Sequence, residues 1–364
     1  MKIVADENLA LTDYFFADLA DIDYRAGRTI QPSDVQDADA LLVRSVTKVT
    51  PSLLASSRVQ FVGSATIGTD HLDLQGLAAA GIQVAHAPGC NAQAVAEYVV
   101  TAILTLRPHL AEAGLEFCLG VIGLGNVGSR LALLAQRLGW RVIGTDPHVH
   151  LEGIENMSLS DLLAQSHAIS LHVPLTHTGI APTYHLIDAQ AFQKMQPDCL
   201  LINSARGEVV SEQALLDDLA HSQRQVVLDV FEHEPRISRQ LLARLALATP
   251  HIAGYSLEGK ARGTQMIYQA FCAHYQLPAN RHFETQMVEM PQLIQPNMPL
   301  PQQLIALLPR LYNIRADDAA LRAALNAQDP DAQDQVSASQ FDALRKNYPL
   351  RREWAAYGDQ VIQP

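Results

Sequence analysis

Apolar positions along the chain first fall into short β-branched runs, Lys2 to Ala5, Ala40 to Val43, Val59 to Val62 and Ile82 to Ala85, separated by stretches of helical spacing such as Leu72 to Ala80. That alternation predicts βαβ units and a parallel sheet, whose strands are covered on both faces and carry no polar side. Asn91 to Leu106 then predicts one long helix, ended near Pro108 and apolar on so many sides that it should pack between layers. A second α/β series follows, with strands over Phe117 to Ile122, Arg141 to Thr145, Ala168 to Val173, Cys199 to Asn203 and Gln225 to Val230. Helices fit the gaps, for example Val127 to Leu138 and Glu212 to Leu219, and a further helix is expected from Glu258 to about Tyr275.

From Met287 the texture changes. Pro291, Pro296, Pro299 and Pro301 precede short helical patterns at Leu304, Leu307 and Leu308 and again at Leu321 and Leu325. A proline-rich entry with short amphipathic pieces suits an appended module that covers an apolar surface, either on a second subunit or on its own chain, and the reading favours the second subunit.

At 364 residues, with 48% hydrophobic and 18% charged residues, the chain exceeds what one core serves and has ample material for two or three. A net charge of −12 argues against coating nucleic acid or an anionic membrane, which needs clustered Lys and Arg, but leaves room for a small anionic substrate held by a few local cations. Cys90, Cys118, Cys199 and Cys272 stand far apart without CxxC spacing, so buried reduced thiols are expected. Asp6 and Glu7 fall where a secretory signal needs its apolar region, and no apolar stretch is long enough to span a bilayer; a cytoplasmic protein is expected.

The strand ending at Ile122 runs into Gly123-Leu124-Gly125-Asn126-Val127-Gly128, then a helix, then the strand that ends before Asp146. This is a dinucleotide fingerprint in its full context. Two glycines let the backbone turn and approach a pyrophosphate, the third permits close helix–strand packing, and the helix N-terminus offers N–H groups to the phosphates. Asp146 is placed to accept hydrogen bonds from the adenosine ribose and to repel a 2′-phosphate, so NAD is the expected cofactor.

Three further segments follow strands of the same predicted sheet, where an open parallel sheet places its ligands: Asn203-Ser204-Ala205-Arg206-Gly207-Glu208, Asp229-Val230-Phe231-Glu232-His233-Glu234-Pro235 and Thr249-Pro250-His251-Ile252-Ala253-Gly254-Tyr255. They offer an Arg suited to two-pronged carboxylate binding and a His that, paired with an acid, exchanges a proton near neutral pH. Singly, Arg206, Glu234 and His251 each have an ordinary structural alternative; their joint placement favours catalysis.

With these segments the chain resembles the D-isomer-specific 2-hydroxyacid dehydrogenase family, over roughly residues 1 to 280. The resemblance implies that Arg206 binds the substrate carboxylate and polarises the C2 oxygen, that Glu234 supports His251, and that His251 exchanges the proton. It implies a phosphorylated small 2-hydroxy acid as substrate, through Ala65-Thr66-Ile67-Gly68-Thr69-Asp70-His71, Ala87-Pro88-Gly89-Cys90-Asn91-Ala92, His172-Val173-Pro174-Leu175-Thr176, Ala253-Gly254-Tyr255-Ser256 and the carboxy-terminal module. Ser45, Thr66 and Tyr255 are implied as further substrate contacts. Asp146, Val173, Ala205 to Gly207, Asp229, Gly254 and Tyr255 are implied to contact NAD, beside the glycine loop. At Val173 the subgroup often carries Thr; a backbone contact survives that change and a hydroxyl contact does not.

The expected architecture is α/β, with two doubly wound parallel-sheet domains and a small α+β dimerisation module. A flavodoxin-like substrate domain covers 1–95 and 257–286, a Rossmann NAD domain covers 96–256, and the dimerisation module covers 287–364. A homodimer follows from the last. No metal is expected, His148 and His150 reading as solvated side chains, while Arg44 and Lys48 beside Ser45 are candidates to hold a substrate phosphate. The alternatives are a dehydrogenase for another 2-hydroxy acid and an NAD(H)-sensing regulatory protein without turnover.

Overall fold

In the computed structural model, which describes residues 1–325 and 335–358, the amino-terminal apolar runs become strands β1 (Lys2–Asp6), β3 (Ala40–Val43), β4 (Phe61–Ser64) and β5 (Gln83–His86), joined by β2 (Asp21–Arg25). All pair in parallel in the order β2-β1-β3-β4-β5, the flavodoxin-like winding. The central strands β3 and β4 are buried at every residue. β2 was not expected from the sequence: Asp21-Ile22-Asp23-Tyr24-Arg25 pairs on one side only and keeps its charged side chains in water, so it lacks the apolar run that marks its neighbours.

This sheet belongs to a compact unit made of Met1–Asn91 and Ser256–Glu289. The returning helix Leu257–His274 covers it with aromatic rings: Phe271 meets Phe16 at 5.4 Å and Phe61 at 5.6 Å, both edge-on, and Tyr268 lies 5.1 Å from Phe15. Gly63 lets the helix come close, since a Cβ there would stand 3.2 Å from Cβ of Ile267. Phe271 is fully buried. Phe271→Ala is expected to destabilise this unit by about 3–5 kcal/mol, read as a lower urea midpoint; a change below 1 kcal/mol would show that the ring cluster does not hold the helix in place.

The second unit comprises Ala92–Tyr255 and Met290–Pro364. Its strands β6 (Cys118–Ile122), β7 (Arg141–Thr145), β8 (Glu155–Asn156), β9 (Ala168–Leu171), β10 (Leu200–Asn203), β11 (Val226–Leu228) and β13 (Leu247–Ala248) form a parallel sheet. The order is β8-β7-β6-β9-β10-β11-β13. Counted from β6 it is the dinucleotide-binding order 3-2-1-4-5-6 with one strand added at the edge. Helix Ala92–Leu106 is buried at every residue from Ala92 to Leu104, as its all-round apolar pattern predicts. It shares a core with helix Asn126–Arg137 on one side of the sheet, while Ile143, Ile169, Leu201 and Phe192 lead the core on the other.

The described carboxy-terminal residues form helices Leu300–Leu311, Ile314–Leu325 and Ala338–Lys346. One short strand, β14 (Gln335–Val336), pairs antiparallel with β12 (Ile237–Ser238). Leu300, Leu304, Leu308 and Leu311 recur on one helical face and enter the same core as Val99 and Ile103. Leu321, Val336 and Phe341 enter the opposite core. The apolar face made by these residues therefore packs on its own chain. Among the described residues no helix is long and apolar enough to cross a membrane.

Candidate functional site

Each segment singled out in the second unit lies just past the carboxyl end of a parallel strand: Gly123 after β6, Asp146 after β7, Val173 after β9, Arg206 after β10, Asp229 after β11 and His251 after β13. The strand order reverses between β6 and β9, the switch point at which such sheets bind ligands.

The glycine loop shows which constraints belong to the fold. Gly123 has φ of 90°, and a Cβ there would stand 2.5 Å from the His172 carbonyl oxygen and 2.9 Å from Cγ1 of Val173. At Gly128 a Cβ would stand 1.9 Å from the Gly123 oxygen. Gly125 differs: no heavy atom lies within 4 Å of its would-be Cβ, so packing does not require glycine there, whereas close approach of a pyrophosphate does. Gly125 is also the N-cap of helix Asn126–Arg137 and offers no side-chain cap, so the leading N–H groups, those of Asn126 and Val127 among them, are presented to a ligand. Asp146 Oδ2 accepts from the Leu124 N–H at 2.7 Å, and its Oδ1 accepts from His148 and Val149 N–H at 2.8 and 2.9 Å. Three of its roughly four acceptor positions are thus used, with room for a ribose hydroxyl. The residues fit a dinucleotide. Burial pushes the His172 imidazole down to about 3, so it puts no charge beneath this loop.

Arg206 is set by its neighbours. Asn203, buried, donates from Nδ2 to the Arg206 carbonyl at 2.8 Å and accepts the Ala205 N–H at 3.1 Å, while the Arg206 guanidinium donates to the Ala205 carbonyl at 2.8 Å. Gly207 is held against the next loop so closely that a Cβ would stand 2.0 Å from the Phe231 carbonyl.

That next loop supplies the acid. Glu234 Oε1 accepts from the Phe231 N–H at 2.9 Å and Oε2 stands 2.9 Å from His251 Nδ1. With Nδ1 engaged, Nε2 is the ring nitrogen left for another proton partner. Burial pushes the Glu234 carboxyl up, but the His251 ring, the Phe231 N–H and the Arg345 charge outweigh it and hold the group below the usual carboxylate range. His251 itself has φ of 57°, in the left-handed region. Asp229 anchors that loop: Oδ1 accepts from Thr249 Oγ1 at 2.6 Å and Ile252 N–H at 2.8 Å, and Oδ2 from Ala253 N–H at 2.9 Å. Burial pushes the Asp229 carboxyl up against the pull of His251 and these bonds. Gly254 and Tyr255 close the loop, the Tyr255 ring standing edge-on to Tyr348 at 5.9 Å.

In the first unit Ser45 lies in an exposed turn after β3 and Thr66 in the segment after β4. Val43 and Ser64 are register partners, so the two residues leave adjacent strands at the same end. Thr66 Oγ1 lies 2.8 Å from Ser64 Oγ, which in turn lies 2.9 Å from His71 Nε2. Neither Ser64 nor His71 has a role legible in the sequence, because the partner of the His71 ring is visible only in the fold. All four cysteines are buried free thiols. His148 and His150 are both exposed.

Residues 116–253 match the family described as D-isomer specific 2-hydroxyacid dehydrogenase, NAD binding domain, and residues 287–359 match a domain of unknown function (DUF3410). The erythronate-4-phosphate dehydrogenase of Acinetobacter baumannii (strain ACICU) is 58% identical over 358 residues, covering 98% of this chain and 99% of that protein. The protein of that name from Acinetobacter baylyi is 57% identical over 361 residues, covering 99% and 100%. Among solved structures, the D-lactate dehydrogenase of Aquifex aeolicus complexed with NAD and lactic acid matches with a TM-score of 0.65 at 26% identity, over 76% of this chain and 96% of that one. With such identity held over nearly its whole length, the chain belongs to the erythronate-4-phosphate dehydrogenases, within the D-isomer-specific 2-hydroxyacid dehydrogenase family.

Proposed function

We propose that the chain oxidises 4-phospho-D-erythronate at C2 to (R)-3-hydroxy-2-oxo-4-phosphooxybutanoate, a step of pyridoxal 5′-phosphate (vitamin B6) biosynthesis, as a cytoplasmic homodimer. The observation that carries the chemistry is the 2.9 Å contact between Glu234 and His251 at the carboxyl edge of a dinucleotide-type sheet. The substrate rests on the name shared by the close relatives. NAD, when bound, supplies the hydride acceptor. Gly123, Gly125, Asn126, Val127 and Gly128 hold its pyrophosphate and Asp146 its adenosine ribose. Val173, Ala205 to Gly207, Asp229, Gly254 and Tyr255 complete its contacts.

Arg206 binds the substrate carboxylate and polarises the C2 oxygen through a planar, two-pronged donor set. His251 Nε2 takes the C2 hydroxyl proton, and the Glu234 carboxylate on Nδ1 favours the imidazolium that results. Ser45, Thr66 and Tyr255 are further substrate contacts. The domain roles follow: a substrate domain in 1–95 and 257–286, an NAD domain in 96–256 and a dimerisation module in 287–364. The test is NADH formation at 340 nm with 4-phosphoerythronate and NAD, a 2-oxo acid being added to reoxidise held cofactor. Preferred turnover of the phosphorylated acid is expected; preference for glycerate or lactate would overturn the substrate, and no turnover with any 2-hydroxy acid the enzymatic reading.

A further inference from the structure

The carboxy-terminal segment does more than cover apolar surface, because it delivers two arginines to the loop that carries His251. Arg351 is 9% exposed. Its Nη1 donates to the carbonyls of Ile252 at 3.2 Å and Tyr255 at 3.3 Å, and its Nη2 to those of Ala253 and, at 3.1 Å, Ala94. Its guanidinium also lies over the Tyr312 ring at 4.3 Å. The stretch immediately after His251 is therefore fixed from behind by a residue of the segment that matches a domain of unknown function.

Arg345, on helix Ala338–Lys346, approaches the same loop differently. Its guanidinium carbon lies 5.9 Å from the centre of the Tyr255 ring and 5.7 Å from that of Phe341. Its Nε is buried and, among the described residues, has no hydrogen-bond partner. A cationic donor left unsatisfied costs stability, so its retention calls for an explanation other than packing. Its charge acts on Glu234 as well as on Tyr255.

We propose that Arg345 is a positioning residue of the reaction, its guanidinium seating Tyr255 and placing a positive charge within electrostatic reach of the Glu234–His251 pair. Asp229, which anchors the His251 loop, also faces the pair, while Tyr255 and Asp342, three residues before Arg345 on its helix, face Arg345. A positive charge beside the pair opposes its taking up a proton and so keeps His251 available as a base to lower pH. The segment of unknown function then belongs to the catalytic apparatus of its own chain, an inference that rests on the dehydrogenase reading above.

The test is the pH profile of kcat/KM for oxidation in wild type, Arg345→Met and Arg345→Lys, with NAD binding followed by fluorescence. Removing the charge lets the pair hold its proton to higher pH. The acidic limb of Arg345→Met is expected to move up by about 0.5 pH unit or more, a shift that a change in NAD affinity alone does not produce. Arg345→Lys returns the limb towards wild type, because it restores charge without the planar stack. If Arg345→Met does not fold, Arg345→Gln carries the same test. A wild type without turnover sinks the dehydrogenase reading; an active wild type with an unmoved limb in the uncharged variants sinks this inference alone.

Discussion

His251→Ala is expected to lower kcat for oxidation of the 2-hydroxy acid by about 10²–10⁴-fold, the range that general base catalysis contributes, while NAD still binds. The glycine loop and Asp146 lie at other strand ends and keep their geometry without the imidazole. A loss of only a few-fold would remove His251 from the proton transfer. Glu234→Gln is expected to be milder and to differ in pH response, since the amide keeps one hydrogen bond to Nδ1 but cannot favour the imidazolium. The acidic limb of its profile should therefore move down, opposite to the shift expected for Arg345→Met. The same carboxylate ties stability to pH. Its folded-state affinity for protons is depressed, so its contribution is complete above the ordinary carboxylate range and fades as pH falls through the lower folded value.

The second large effect is expected at Arg206. Arg206→Leu should lower kcat/KM by about 10²–10³-fold, because truncating one partner of a desolvated ion pair costs ~2–5 kcal/mol. Arg206→Lys should recover only part, since a point charge cannot reproduce the two-pronged grip. Cofactor affinity serves as the control: the Asn203 side chain holds the loop through backbone atoms of residues 205 and 206, which neither substitution removes. Full activity in Arg206→Lys would show that charge alone is needed and that the planar recognition of the carboxylate is wrong.

What could be read from the sequence divides along physical lines. Strands covered on both faces, such as Ala40–Val43 and Leu200–Asn203, announce themselves as apolar runs. The fingerprint announces itself because Gly123 and Gly128 answer to backbone geometry that no other residue satisfies. Glu155–Asn156 and Ile237–Ser238 are too short to leave a period, and the edge strand Asp21–Arg25 too polar. Arg206, Glu234 and His251 were found by their places after strands, and the fold brings the last two into contact. Ser45 was reached only through resemblance; an exposed serine in a turn has no pattern of its own. Arg345 and Arg351 were missed altogether, because their partners are the Tyr255 ring and backbone carbonyls far away in the chain, and a lone arginine in an amphipathic tail looks like surface charge.

The interrupted first unit has a consequence for the chain as it leaves the ribosome. Its sheet emerges early, yet the helix bearing Tyr268 and Phe271 is made only after the whole Ala92–Tyr255 insertion. At ~5–20 residues per second, Phe15, Phe16 and Phe61 wait roughly ten to fifty seconds for their cover. A nascent chain stalled between residues 100 and 250 would present an unsealed aromatic surface, and it is there that a chaperone for apolar segments should be found engaged.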